Sequence, residues 1–275
     1  MASTLFIVPT PIGNIEDITL RALATLKSVS CIACEDTRVS QKLLSKYSIG
    51  VRLLDCHKFN EKQRSSEIIK LLENGEDVAL ISDAGTPLIS DPGSVLLREI
   101  HERGFKTVSL PGACAVTTFL SSIERETEEF AFVGFLPRTE PKQAELFEKF
   151  KNINTVFYEA PTRLMKTLEN IKNTLGDDCR VAIGRELTKV YEEIKSGSVN
   201  EIIDYYSSNT LKGEIVGLIF AQKSVDINDE EVINNIKKLH SEGYSAKDCV
   251  KILTLLFDLP KNKIYELTQK IYNGR

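Results

Sequence analysis

Asp77-Val-Ala-Leu-Ile-Ser82 runs directly into Asp83-Ala-Gly-Thr-Pro-Leu-Ile-Ser-Asp-Pro-Gly93. The first segment is apolar and β-prone, as a buried parallel strand requires. Behind Gly93, Ser94-Val-Leu-Leu-Arg-Glu-Ile-His-Glu-Arg103 carries apolar residues at helical spacing, and Gly104 supplies a stop. The stretch 82–93 is thus a loop at the carboxyl end of a strand, where open α/β sheets bind small ligands. Its two glycines and two prolines leave little side-chain bulk, which suits a flat ligand held by main-chain groups.

Working outward, the same strand-then-helix rhythm fills the first half. Strands are predicted at Thr4–Val8, Ser30–Ala33, Val51–Leu54 and Lys106–Leu110, and helices at Thr19–Lys27, Val39–Tyr47 and Glu61–Glu73. Asp17 or Thr19 caps the first helix. Repeated βα units with short links imply a mostly parallel sheet with helices on both faces. Beyond the apolar helix predicted at Ala113–Ser122 and the charged run Glu124–Glu129 lie strands at Phe130–Leu136, Thr155–Tyr158, Arg180–Arg185 and Gly213–Ala221. Between them helices are expected at Glu140–Phe150, Pro161–Leu175 and Ser198–Ser208, which together imply a mixed sheet. After Gln222 three helices follow, Asp229–His240, Ser245–Phe257 and Pro260–Tyr272, with Asp229 and Ser245 as caps. The expected organisation is α/β: two domains, 1–118 and 119–224, followed by a helical domain, 225–275.

With 275 residues, 42% of them apolar, the chain can bury one large core or two ordinary ones. No apolar run reaches the ~18 residues of a membrane span, and the opening Met1-Ala-Ser-Thr-Leu-Phe-Ile-Val-Pro9 lacks the pattern of a signal peptide. The cytoplasm is the expected location, with the six cysteines reduced. Cys31-Ile-Ala-Cys34 has the spacing of a metal pair but sits in a predicted strand with no second pair, so core packing is expected and no metal site. A net charge of −4 argues against nonspecific coating of nucleic acid, though a local basic surface remains compatible with an RNA substrate. Arg21, Arg38, Lys42, Lys46, Arg52, Arg138, Lys142, Arg163, Lys166, Arg185 and Lys189 are either such a surface or ordinary solvated faces. The tail, with Lys247, Lys251, Lys261 and Lys263, either docks RNA or serves stability or dimerisation.

Four strand-end loops stand out: Pro9-Thr-Pro-Ile-Gly-Asn14, 82–93, Ser109-Leu-Pro-Gly-Ala-Cys-Ala115 and Gly134-Phe-Leu-Pro-Arg138. None matches a P-loop, a dinucleotide fingerprint, a nucleophile elbow or a zinc-protease motif. Of the three histidines only His57 lies near a plausible active face. Glu35-Asp-Thr-Arg38, Tyr158-Glu-Ala-Pro-Thr-Arg163 and Arg185-Glu-Leu-Thr-Lys189 each pair a carboxylate with a cation at a strand end. Such pairs either pin loops or orient a nucleophile and contact phosphate.

These segments, taken in order from about residue 4 to 221, resemble the branch of the tetrapyrrole methylase superfamily that methylates the 2′-hydroxyl of a cytidine in small-subunit ribosomal RNA. The resemblance implies two α/β domains with a cleft between them, S-adenosylmethionine in that cleft, an RNA substrate and a homodimer. It implies cofactor contacts from Pro11, Asp83, Ala84, Gly85, Thr86, Pro87, Ile89, Pro111, Gly112 and Ala113, with Leu136 and Tyr158 from the second domain. Ser82-Asp83-Ala84 stands where tetrapyrrole methylases carry Gly-Asp-Pro, and Pro9-Thr-Pro-Ile-Gly13 where they carry Gly-x-Gly-Pro-Gly. Both departures count against a porphyrinoid substrate. Methyl transfer to a hydroxyl demands alignment and removal of one proton. Asp36, Glu159, Glu186 and Lys189 are the candidates for that chemistry, with Glu159 and Glu186 preferred, and Arg38, Arg138, Arg163, Lys247 and Lys251 those for RNA contact. A small-molecule methylase and a non-catalytic ribosome-assembly factor are the alternatives.

Overall fold

The computed structural model describes residues 3–208, 211–222, 229–256 and 261–272. The elements of the first half are β1 (Thr4–Ile7), α1 (Leu20–Ser28), β2 (Cys31–Cys34), α2 (Thr37–Lys46), β3 (Arg52–Asp55), α3 (Glu61–Glu73), β4 (Val78–Leu80), α4 (Ser94–Glu102), β5 (Lys106–Ser109) and α5 (Ala115–Ser121). The second half continues with β6 (Phe130–Phe135), α6 (Glu140–Phe150), β7 (Asn154–Glu159), α7 (Pro161–Leu175), β8 (Arg180–Arg185), β9 (Glu193–Ser198), α8 (Val199–Ser207) and β10 (Ile215–Ile219). The tail holds α9 (Asp229–Ser241), α10 (Ala246–Leu256) and α11 (Lys261–Tyr272).

Helix starts follow local chemistry. Of the two caps expected for α1, Thr19 does the work: its hydroxyl accepts from the Ala22 N–H at 3.0 Å. Asp36 caps α2 in the same way. Pro161 opens α7, where a missing N–H costs nothing. Ser198 and Glu201 form a reciprocal capping box on α8.

β1 to β5 form one sheet in the order β3-β2-β4-β1-β5, parallel throughout. β1 lies between β4 and β5, so chain direction across the sheet reverses there and the loops after β1 and β4 are neighbours. Apolar clusters around Leu5, Ile68 and Leu96 and around Leu26, Ile32 and Leu44 cover the two faces. The second sheet runs β6-β7-β10-β8-β9, with β6 parallel to β7 and the rest antiparallel, the mixed sheet expected. A register shift between Phe132 and Phe135, with Gly134 at φ +68°, bulges β6 and turns Phe135 outward.

Residues 1–221 form one compact unit. What joins its two sheets is α5, which crosses the expected 118/119 boundary. Ile12, Val116, Phe119 and Leu120 share a buried cluster with Val156, Ala182, Val216 and Leu218 of the second sheet. Phe119 is fully buried and lies so close to β8 that a Cβ on Gly184 would sit 2.7 Å from its ring. Burying such a side chain contributes about 1.5–3 kcal/mol.

Residues 222–275 are a second compact unit, in which α9 to α11 surround Val232, Ile236, Val250, Leu253 and Ile264. Ser245 caps α10 as expected, accepting from the Asp248 N–H at 3.2 Å. Phe257 and Pro260, the expected helix ends, lie outside the described residues. Lys247 and Lys251 are exposed on α10. The six cysteines are free, and Cys31 and Cys34 are packed in the core of β2.

Candidate active site

The loops at the carboxyl ends of β1 and β4 are stitched together. Thr10 and Gly85 exchange backbone hydrogen bonds of 2.9 and 3.0 Å, the Thr10 hydroxyl donates to the Ser82 carbonyl at 3.0 Å, and the Ser82 hydroxyl donates to the Gly85 carbonyl at 2.9 Å. Gly85 has φ +84°, a conformation that favours glycine. Thr86 then reaches the third loop, donating to the Ala113 carbonyl at 2.9 Å. Gly112 abuts Pro9 so tightly that a Cβ there would lie 2.5 Å from the proline ring. On the far side Gly13 presses on the turn after β8, where a Cβ would meet Lys189 Cγ at 2.5 Å and Thr188 Oγ1 at 2.6 Å. The Asn14 N–H donates to that same threonine oxygen at 2.9 Å.

These loops and the second sheet enclose a cavity of about 370 Å³. Asp83 to Thr86 and Ile89 to Asp91 form one wall; Tyr158, Leu187 and Gly213 to Val216 form the other. Phe132 and Phe135 meet Tyr158 edge-on, with centroids 5.0 and 5.4 Å away, which fixes the tyrosine ring at the cavity. Burial drives the Tyr158 hydroxyl far above the ordinary tyrosine range, so it stays protonated. Ser90 in one wall, Leu88 just before that wall, and Glu186 and Thr188 in the loop opposite hold left-handed backbones although none is glycine. Such strain costs about 1–3 kcal/mol per residue and gathers where a ligand is clamped.

Of the residues expected to hold the cofactor, Asp83, Ala84, Gly85, Thr86, Ile89 and Tyr158 line the cavity. Pro11, Pro87, Pro111, Gly112 and Ala113 belong to the loops that frame it and do not line it. Leu136 is 3% exposed and packs in the core of the second sheet, although its N–H donates to the Tyr158 carbonyl.

The four residues expected to act on the proton scatter. Glu159 borders the cavity, but its side chain is wholly buried among the Ala160 N–H at 2.7 Å, the Thr167 hydroxyl at 2.8 Å and Arg163 at 3.1 Å. Arg163 is spent on that carboxylate and on the Leu136 and Pro137 carbonyls. Lys189 bridges Glu186 at 2.8 Å and Glu214 at 3.0 Å, tying the turn after β8 to the cavity rim. Asp36 grips Arg38 at two points, which holds its carboxyl down at about 2. Arg138 is exposed.

Ile12, Leu187, Glu214 and Asp91 line the cavity without having been expected there, and of these Asp91 lies inside the quoted loop. Burial, and then the charges of Glu35 and Asp83, push its carboxyl up to about 6. Burial also raises Glu35 and Asp83 above the ordinary carboxylate range. The signal that could have found Asp91 was its being, with Asp83, one of two carboxylates in a loop otherwise nearly free of charge. Among the described residues no group of three or more His, Cys, Asp or Glu could hold a metal ion. No helix there is long and apolar enough to cross a membrane.

Comparison with known proteins agrees with this architecture. The family described as Tetrapyrrole (Corrin/Porphyrin) Methylases matches residues 4–203. A protein of Rickettsia prowazekii (strain Madrid E) named ribosomal RNA small subunit methyltransferase I is 39% identical, over 98% of this chain and 98% of that one. Its namesake in Pseudomonas aeruginosa is 42% identical, covering 100% of this chain and 94% of its own length. The crystal structure of a diphthine synthase, 14% identical, covers 80% of this chain and 90% of its own with a TM-score of 0.65, a likeness of fold alone. The chain belongs to the tetrapyrrole (corrin/porphyrin) methylase family.

Proposed function

We propose that this protein transfers a methyl group from S-adenosylmethionine to the ribose 2′-hydroxyl of a cytidine in small-subunit ribosomal RNA. The observation that carries the reading is the cavity itself, walled by residues of the β1, β4 and β8 loops and sized for a cofactor. The near-full-length relatives carry ribosomal RNA methyltransferase in their names, which supports the substrate class.

The residues present fit the cofactor. Ile12, Ala84, Leu187, Ile215 and Val216 offer apolar surface for a flat base, and Asp83 and Glu214 offer acceptors for hydroxyl and ammonium groups. When bound, S-adenosylmethionine supplies an electrophilic methyl on a sulfonium whose charge vanishes on transfer. The protein therefore needs no oxyanion device; it needs alignment and a proton acceptor. Asp91 suits the second task, because its carboxylate faces the cavity and is basic enough to accept a proton while mostly ionised at neutral pH. A general base adds about 10²–10⁴ in rate. Glu159 serves structure here: its acceptor positions are already engaged. Glu186 and Lys189 hold the β8 turn, and Asp36 holds Arg38.

The same reading includes a cytoplasmic homodimer, with Arg38, Arg138, Lys247 and Lys251 among the RNA contacts. Incubation with labelled cofactor and 30S particles never methylated at the target would test it. Label in the RNA, at a nucleotide then resistant to alkaline cleavage, is the expected result. Cofactor binding without any label in RNA would overturn the substrate.

A further inference from the structure

A second hollow, of about 520 Å³, opens beside the cavity at the carboxyl ends of β2 and β3. It is lined by Glu35 to Arg38, by Asp55 and His57 to Phe59, and by Asp83, which also lines the cavity. One carboxylate thus stands on the wall common to both, and the Asp36 N–H fixes it by donating to its Oδ1 at 3.0 Å.

The contents of the hollow are unusual for a solvated rim. Phe59 is 95% exposed and touches the edge of the His57 ring, at 6.2 Å between centroids. Two of the four carboxylates are already answered: Asp36 by Arg38, and Asp55 by Arg64 and the Asn60 amide. Glu35 and Asp83 have no such cationic partner among the described residues, and Glu35 is partly buried. Arg38, though held at one edge by Asp36, leaves 87% of its side chain in water, and Lys58 is exposed beside Phe59. An open aromatic face, an acceptor-only carboxylate and two outward cations are the complement of a base plane, an exocyclic amine and a phosphate chain.

We propose that this hollow receives one unstacked nucleotide of the RNA substrate, its amino-bearing base lying on Phe59 with the amine donating to Glu35 and its flanking phosphates meeting Arg38 and Lys58. The inference rests on the methyltransferase reading above and gives it an acceptor side. It also explains a base preference, since a carboxylate accepts from cytosine and repels the carbonyl that uracil presents at the same position.

The test uses the full chain, S-adenosylmethionine and unmethylated 30S particles. Phe59→Ala should lower kcat/KM for the particles about tenfold or more, mainly through KM, while cofactor affinity by calorimetry stays within about twofold; Phe59→Trp should restore the rate. If the native protein labels the RNA and Phe59→Ala does so with undiminished kcat/KM, the subsite is refuted and the methylation reading stands. If the native protein labels nothing, that reading fails, and the subsite is judged by binding alone. The chain contains no tryptophan, so Phe59→Trp is a single reporter. Quenching of its fluorescence by small-subunit ribosomal RNA supports the subsite, and its absence overturns it.

Discussion

Glu159 and Tyr158 are sequence neighbours with opposite fates: the tyrosine ring forms a wall of the cavity, while the adjacent carboxylate is wholly buried against Arg163 and Thr167. Strand alternation produces this, because successive side chains of β7 leave by opposite faces of the sheet.

Glu159→Ala should therefore cost stability more than chemistry. Removing one partner of a buried ion pair typically costs about 3–5 kcal/mol, here with the Ala160 N–H and Thr167 hydroxyl also stranded. Urea unfolding should show the loss, and Glu159→Gln, which keeps the acceptor, should recover much of it. A fully stable Glu159→Ala protein without activity would return Glu159 to the reaction.

Asp91 gives a pH signature. With its carboxyl at about 6, kcat/KM should rise through pH 6 and level off above it, and Asp91→Asn should lose about 10²–10⁴ of the rate. Stability runs the other way. A carboxyl raised on folding from 3.8 to about 6 contributes stability that is present below the lower value and lost as pH rises through the upper one. Asp91→Asn should thus melt higher than the native chain at pH 8, by about 1 kcal/mol once partial exposure is discounted, and equally near pH 4. Equal melting at pH 8 would contradict the placement of Asp91.

Gly112→Val drives a branched side chain into Pro9, whose ring lies 2.5 Å from even the first added carbon. The β1 and β5 loops must separate, and cofactor affinity measured by calorimetry should fall at least about tenfold. Asp83→Asn, which keeps an acceptor for the Asp36 N–H, should weaken the cofactor by a similar factor with little effect on melting. Unchanged affinity in both variants would place the cofactor elsewhere.

Lys247→Ala combined with Lys251→Ala tests the tail. If both lysines meet phosphate, the slope of log affinity against log salt for small-subunit RNA should become shallower by about 2, without change in cofactor binding. An unaltered slope would leave α10 to stability or dimerisation.

Much of this architecture was legible in the chain because punctuation and periodicity coincide. Glu61–Glu73, Glu140–Phe150 and Pro161–Leu175 read to the residue, ending at Asn74-Gly75, at a lysine-asparagine turn and at Gly176. β9 went unread, since Glu193-Ile-Lys-Ser-Gly-Ser198 has one large apolar residue and lies at the sheet edge, where pairing with β8 rather than burial makes the strand. The loops that frame the cavity were readable from their glycines and prolines. Side-chain direction was not. Leu136 turns into a core and Glu159 into an ion pair because a bulge in β6 and the parity of β7 decide which way each points. The raised carboxyl of Asp91 needed the burial and the neighbouring carboxylates that only the assembled loops supply.

The bond from Asn14 to Thr188 spans 174 positions, and the one from Thr10 to Ser82 spans 72. On the proposed site, a nascent chain completes the grip on its methyl donor only once β8 and its following turn have left the ribosome. Long-range closure of this kind is slow and comes late. On that reading the donor arrives as a final clasp, and its cellular concentration sets how firmly the two ends of that span stay shut.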